Sequence, residues 1–329
     1  MAMRHTLARY GYGVLLATLA TSASADDLFS LKVENDAFSA GGDDHYTNGI
    51  EGIWAFEPTD THWTRRFAEA LPGWSASSLD GVTYRFGQQM YTPHEIGVET
   101  LIEDDRPYAG LLYGGVSLFD KEQHDGWRQA DSLHLDVGIV GPASGAEEVQ
   151  RNFHDLIATE EPEGWDNQLD NEPIVNLGYE RSWLLQQRLA GLEVEYGPSA
   201  GFALGNLYTF ASGGLGLRLG DGLDHSFGIP AVAPAQSGQS SFQRDRGFSW
   251  YVFANLEGRY MAHNLLLDGN TFEDSHSVDR REWVGDAQLG TALTWDRWQV
   301  AFTYVWRSDE FEEQDGFDQF GSLTLSTWL

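Results

Sequence analysis

The chain ends in Gly321-Ser322-Leu323-Thr324-Leu325-Ser326-Thr327-Trp328-Leu329. In an extended segment, side chains alternate between two faces, so Leu323, Leu325, Thr327 and Leu329 share one face. The same period recurs upstream. Leu192, Val194 and Tyr196 lie opposite Glu193 and Glu195, and Leu133, Leu135 and Val137 lie opposite His134 and Asp136. Leu215, Leu217 and Leu219 alternate with Gly216, Arg218 and Gly220. Strict alternation over a run of this length is the signal of a half-buried strand.

Twelve such segments are predicted: 28–33, 47–56, 81–90, 110–119, 132–140, 174–184, 192–204, 207–219, 248–261, 283–295, 298–307 and 317–329. Alternation alone fits two folds. A soluble sandwich turns its apolar face inward, whereas a membrane barrel turns it to lipid and its polar face to the lumen. Three features favour the barrel. Aromatic residues crowd strand ends, as at Trp54 and Phe56, Trp295 and Trp298, and Tyr304 and Trp306. The chain reads as exported and has no Cys, and it finishes on a strand. The expectation is an all-β protein: one twelve-stranded antiparallel transmembrane β-barrel over residues 26–329, with no internal linker and with 221–246 as a long loop.

The export signal is read at residues 1–25. Arg4 and Arg9 precede a short apolar run from Tyr10 to Ala20, followed by Ala23-Ser24-Ala25. A basic start, a short apolar core and a small-x-small site form a secretory signal peptide. Its removal takes the formal net charge from −30 to −32. Such an excess of acid argues against nucleic-acid binding, whose affinity comes from neutralising phosphates. The absence of Cys excludes disulfides, thiolate metal sites and a Cys nucleophile.

One segment departs from the strand period. After Gly141-Pro142, Ser144-Gly145-Ala146-Glu147 predicts a capping box. Val149, Phe153, Leu156 and Ile157 then recur at helical spacing, and Glu147 and Arg151 form an i,i+4 pair. The helix is expected to run to about Thr159 and to rest its apolar stripe on the barrel rim. Strand parity places it extracellularly. If both termini are periplasmic, Asn35-Asp36, Tyr46-Thr47, Asp105-Arg106 and the helix bearing His154 all reach the outer rim.

The chemistry there is specific. Asp36, the Thr47 hydroxyl and Glu160 offer hard oxygen donors, suited to Ca²⁺ or Mg²⁺. His154 can act as a general base near neutral pH. Asn35 can donate an amide hydrogen bond to a developing oxyanion. Together these make ester hydrolysis plausible, with no Gly-x-Ser-x-Gly nucleophile in the chain. Plainer readings stand beside it. Asn-Asp after a strand is an ordinary turn, and Arg106-Pro107 reads equally as a structural salt bridge and bend. A non-catalytic pore or scaffold barrel and an outer-membrane phospholipase are the alternative functions.

These motifs resemble a family. Glu34-Asn35-Asp36, Tyr46-Thr47-Asn48-Gly49, Tyr91-Thr92-Pro93, Asp105-Arg106-Pro107-Tyr108-Ala109-Gly110, Asp136 to Pro142 and the segment from Gly145 to His154 follow in order. Together they resemble the LpxR-type lipid A 3′-O-deacylases of Gram-negative outer membranes, over essentially the whole mature chain. The resemblance implies a twelve-stranded barrel with its site between the wall and the loop helix, near the outer leaflet. It implies removal of the 3′-linked acyloxyacyl group from lipid A of lipopolysaccharide by calcium-dependent hydrolysis. By motif, His154 matches the water-activating base and Asn35 the residue positioning the carbonyl. Asp36, Thr47 and Glu160 match the Ca²⁺ region, with Glu161 adjacent to the last. The loop from His94 to Asp105 holds no Lys or Arg. That is a departure from family members that carry basic residues there for lipid A phosphates; Arg106 is the expected substrate-binding residue, and a monomer is the expected state.

Overall fold

The structure is a computed structural model that describes residues 27–39, 45–71, 74, 79–230, 232, 241–243 and 247–329. The expected signal peptide lies outside these residues. Twelve antiparallel strands close into one barrel. They are β1 (Leu28–Asn35), β2 (Tyr46–Phe56), β3 (Gly81–Tyr91), β4 (Ala109–His124), β5 (Trp127–Val140) and β6 (Glu172–Leu189). The ring continues through β7 (Leu192–Gly205), β8 (Tyr208–Asp221), β9 (Phe248–Asn264), β10 (Trp283–Trp295), β11 (Trp298–Arg307) and β12 (Asp318–Trp328). All twelve expected strands are present. The hairpin β4–β5 and strand β6 run several residues past the expected ends. Asp120 to Gln123 and Arg128 to Asp131 pair in the ladder although all of these side chains but Ala130 are polar. The apolar signal marks only the part of a strand that meets lipid, whereas the hydrogen-bonded ladder continues beyond it.

The alternation takes the membrane direction. Leu215, Leu217, Leu256, Leu289 and Leu325 are exposed on the outer face, while Arg218, Glu195, Glu257 and Asp286 are buried within. Trp283 and Phe317 at one end, and Phe248 and Trp295 at the other, are exposed aromatics of the kind that flank an apolar band. Charges packed inside a barrel need partners, and they have them. Arg85 Nη2 lies 2.6 Å from Asp136 Oδ1, Arg218 Nη1 lies 2.7 Å from Glu195 Oε2, and Asp286 Oδ2 takes both Arg259 and Arg307, at 2.9 and 2.7 Å.

Three connections on the rim that carries the termini are two-residue turns, between β4 and β5, β6 and β7, and β10 and β11. Short turns mark the periplasmic side. The other rim carries the longer excursions between β1 and β2, β3 and β4, β5 and β6, β9 and β10, and β11 and β12. The segment after β8, expected as a loop, folds inward from the periplasmic side. Ser226–Phe227 pairs with Ser241–Phe242 as a short ribbon. Arg128 donates to Ser226 O at 2.9 Å, and its guanidinium covers the Phe227 ring. Near the extracellular rim, Tyr46, Tyr91, Leu111, Val305 and Phe320 form an apolar core inside the barrel, joined by Leu265 and Leu266 of α3 (Leu265–Asp268). The two other helices, α1 (Trp63–Ala70) and α2 (Ala146–Ile157), belong to connections on opposite rims.

Candidate active site

Side-chain parity places α2 outside the barrel wall. On β4, Leu111, Tyr113 and Ser117 are buried, with Tyr113 donating to interior Glu51, so Gly110 and Leu112 point outward. A Cβ on Gly110 would run into Ser144 and the Ala146 side chain. On β3, outward-facing Gln88 donates to Ser144 O at 2.7 Å, and Met90 packs with Ala146, Tyr108 and Trp165. The helix therefore begins against the outer surface of β3 and β4.

The face it turns to the wall is not the expected one. Ala146, Gln150 and His154 are buried, while Val149, Phe153, Leu156 and Ile157 are exposed, Leu156 by 80%. On the buried stripe Ala146 packs with Met90, while Gln150 and His154 meet hydrogen-bonding groups at Trp165 Nε1 and Glu160 O; the apolar stripe is the exposed one. The expected capping box does not form. Gly145 is the N-cap in a left-handed conformation with no side-chain cap bond. The Glu147–Arg151 pair is present, with Arg151 Nε 3.1 Å from Glu147 Oε1. The helix closes at Ile157, with Ala158 left-handed and Thr159 N donating back to His154 O at 3.2 Å.

That return turn sets the histidine. His154 Nδ1 lies 2.5 Å from Glu160 O. A carbonyl only accepts, so the proton sits on Nδ1 and Nε2 carries the basic lone pair. The Glu160 carboxylate lies over Gly97, where a Cβ would strike it. The strap around the site is tied by Glu163 N to Ile96 O at 2.9 Å and Tyr108 OH to Ile96 O at 3.0 Å. Buried Trp165 donates to Gln150 Oε1 at 2.7 Å.

The second half of the site stands at the ends of β1 to β3. Asn35 donates to Thr47 O at 2.8 Å and accepts from Ala37 N at 2.9 Å, capping the turn Asp36–Phe38. Asn-Asp is thus more than a loop filler: its amide ties β1 to β2. Asp36 is buried, with Oδ1 accepting from Ala37 N at 2.7 Å. Thr47 sits at a bulge in β2, its hydroxyl 2.8 Å from that of Thr92. Thr92 begins the strap that passes Ile96 and Gly97 beneath Glu160. The structure thus joins Asn35 to Thr47 and His154 to Glu160 by direct bonds, and the strap connects the two groups. Among the described residues, no three His, Asp or Glu gather as a metal-holding cluster.

Arg106 is placed differently. Its side chain is 1% exposed, its guanidinium lies 4.6 Å over the Tyr91 ring, and Nη1 is 3.7 Å from Glu310. That is the geometry of the structural salt bridge and bend. Contact with a phosphate would require this group to be uncovered. Next to it, His45 bridges Asp318 Oδ1 at 2.7 Å and Asp105 Oδ1 at 3.2 Å. Burial works against its charge, but the hydrogen bonds to Asp105 and Asp318 prevail and hold its pKa at about 9.

Two polar residues of the site stood in the sequence only inside longer motifs, with no chemistry assigned to them. Thr92 is one hydroxyl in a Tyr-Thr-Pro turn. Gln150 is 2% exposed, and its Nε2 has no hydrogen-bond partner among the described residues. Its place four residues before His154 puts both on one helix face.

Comparison with known proteins bears on the family and the fold. The family described as outer membrane protein LpxR matches residues 10–329. LpxR from Salmonella typhimurium superposes with a TM-score of 0.74 at 18% identity, covering 92% of this chain and 100% of that one. The β domain of the Bordetella autotransporter BrkA gives a TM-score of 0.45 at 10% identity, covering 92% and 98%. The translocator domain of the autotransporter NalP from Neisseria meningitidis gives 0.42 at 9%, covering 98% and 96%. No curated protein matches by sequence. With a family match over nearly its whole length and the same closed twelve-stranded wall, the chain belongs to the LpxR family of outer membrane proteins.

Proposed function

We propose that this protein is a lipid A 3′-O-deacylase of the outer membrane, hydrolysing the 3′-linked acyloxyacyl ester with His154 as general base. Family membership supports the substrate class. The observation that carries the mechanism is the His154 Nδ1 bond to the Glu160 carbonyl, on a helix lying outside the wall. It leaves Nε2 to take a proton from water as that water attacks the ester carbonyl. The proton then passes to the departing sugar oxygen, giving a carboxylate product and a free 3′-hydroxyl. Asn35 stands at the substrate carbonyl in this scheme, its amide already oriented by Thr47 O and Ala37 N.

A divalent cation, Ca²⁺ in this reading, fits the donor chemistry. Asp36 supplies a buried carboxylate, Thr47 a hydroxyl and Glu160 a second carboxylate, all hard oxygens. Such a cation would polarise the ester carbonyl. With only two carboxylates in the set, neutral oxygens and water would complete the coordination. Arg106 supports the strap from inside the barrel, beneath Tyr91. A monomer is the state proposed for this scheme.

The test is mass spectrometry of lipid A after incubation with the purified, detergent-folded chain, with calcium and with chelator. Calcium-dependent loss of the 3′ acyloxyacyl mass is expected. His154→Ala should lower turnover by about 10²- to 10⁴-fold, the usual contribution of a general base, while keeping the compact, heat-modifiable migration of a closed barrel. An unchanged lipid A spectrum from folded protein would overturn the reading. Release of fatty acid from glycerophospholipid micelles instead would assign a phospholipase.

A further inference from the structure

The exposed stripe of α2 has a place in the fold that identifies what covers it. At about 100° per residue, three stripes follow one another round the helix. Ala146, Gln150 and His154 face the wall. Val149, Phe153 and Leu156 lie roughly a quarter turn to one side, and Ile157 is exposed beside them at the open end of the helix. Glu147, Arg151 and Asp155 lie toward the other side. A helix held sideways against a barrel at the edge of the membrane would carry this order: wall, lipid below, water above.

Height along the wall agrees. On the same strands, α1 packs at the periplasmic end. Its Ala68 clusters with outward-facing Val82 and Leu118, and Trp63 Nε1 donates to Tyr84 OH at 2.9 Å. At the other end, α2 starts on Gln88 and Met90. From Val82 to Met90 is eight residues. At about 3.4 Å each and a tilt of about 40°, this is about 20 Å of height, less than the ~25 Å apolar band of such barrels. Outward Phe86 and Val137, on neighbouring parts of this wall, are exposed by 47% and 51%. The apolar flank of α2 is therefore continuous with the lipid-facing belt.

We propose that α2 is an interfacial helix of the outer leaflet, with Val149, Phe153, Leu156 and Ile157 seated among the acyl chains of the surrounding bilayer. The occupant is bulk lipid, not the acyl chains of a bound substrate and not a second copy of the protein. Burying these side chains favours insertion, since apolar surface removed from water is stabilised in proportion to its area. The charged flank, with Glu147, Arg151 and Asp155, stays in water. This goes beyond the catalytic reading and does not depend on it.

The chain has no Cys, so single-cysteine reporters are clean. Phe153→Cys, Leu156→Cys and Asp155→Cys are labelled with an environment-sensitive fluorophore in the full-length mature protein, with compact migration confirmed. They are then reconstituted into phosphatidylcholine vesicles, without lipid A, carrying acyl-chain nitroxide quenchers. The Phe153 and Leu156 labels should be blue-shifted and quenched by the lipid nitroxide. The Asp155 label should instead be quenched by aqueous iodide. Equal iodide access at all three positions would overturn the proposal. So would protection of Phe153 and Leu156 that disappears on dilution of the protein in the bilayer, which would indicate a second copy. Phe153→Asp with Leu156→Asp provides a readout without label: the doubly charged variant should become sensitive to protease at α2 in vesicles while the barrel stays intact. Unchanged protection would count against lipid contact.

Discussion

Between β1 and β2, His45 holds two acids at once, and so fastens the first extracellular excursion to the strap and to the start of β12. Its pKa of about 9 lies above the ordinary 6.5, so the folded state binds the proton more tightly than the unfolded chain. The stabilisation is fully present below 6.5 and is lost as pH rises through about 9. The upper bound is about 3 kcal/mol, at 1.36 kcal/mol for each pKa unit. Asp105 is the complement: burial pushes its carboxyl up, but the His45 hydrogen bond and charge pull it below its usual range. The wild-type midpoint of thermal unfolding should fall between pH 7 and 10, and His45→Gln should flatten that fall. A wild-type curve that is flat over this range would remove the clasp. The place of Asn35 at the end of β1 and of His154 on the helix between β5 and β6 was legible, because strand parity and helical spacing are local patterns. His45 was not, since its partners lie 60 and 273 positions away, and no local pattern announces a bridge between distant loops.

The helix α2 was legible in period and in rim, but not in facing. Val149, Phe153, Leu156 and Ile157 do share a stripe, yet the stripe turns from the barrel. The rule that apolar stripes seek protein assumes water on the other side, and beside an outer wall the other side is lipid. The start was misread for a related reason: Ser144 and Glu147 match a capping box in spelling, but Gly141 and Gly145 let the chain turn sharply enough to lie flat on Gly110. That contact gives a test of what the helix needs. Gly110→Val would push against Ser144 and Ala146 while leaving the β3–β4 ladder paired. A displacement of about 1 Å can cost roughly a hundredfold in rate. Turnover should fall by that order with the barrel intact. Full activity in this variant would mean that the helix can be lifted without moving His154.

At the scale of the whole molecule, ion pairs across the barrel interior share with the apolar core near the extracellular rim the work that an apolar core does in a soluble protein. Strand count, closure and alternation were readable because each strand repeats the same two-faced pattern. The ion-pair partners were not, because they depend on register between strands. Asp286 is the strongest case, sharing one carboxylate between Arg259 and Arg307. Asp286→Asn takes from buried Arg307 its shared carboxylate and leaves Arg259 with Glu257 alone, and breaking a buried pair costs about 3–5 kcal/mol. The temperature at which the protein loses compact migration on a gel should drop markedly, whereas Leu289→Val, on the lipid face, should leave it nearly unchanged. Similar losses in both would mean that the interior network contributes no more than the belt.

The closing pair of strands has a consequence for how the protein is made. Leu28 to Asn35 lies register to register against Trp328 to Gly321, with Ser30 Oγ donating to Ser326 Oγ at 2.7 Å. The two partners stand 296 positions apart. Bringing such distant ends together costs about 5 kcal/mol of chain entropy, from the logarithmic dependence on loop length. The seam therefore zips last, and until it does, β1 offers a bare edge to any passing strand. A ribosome that stops one hairpin early releases a sheet that can never become a ring. A permuted gene that fuses the old ends and opens a short periplasmic turn, by contrast, would make the seam a local hairpin like the others.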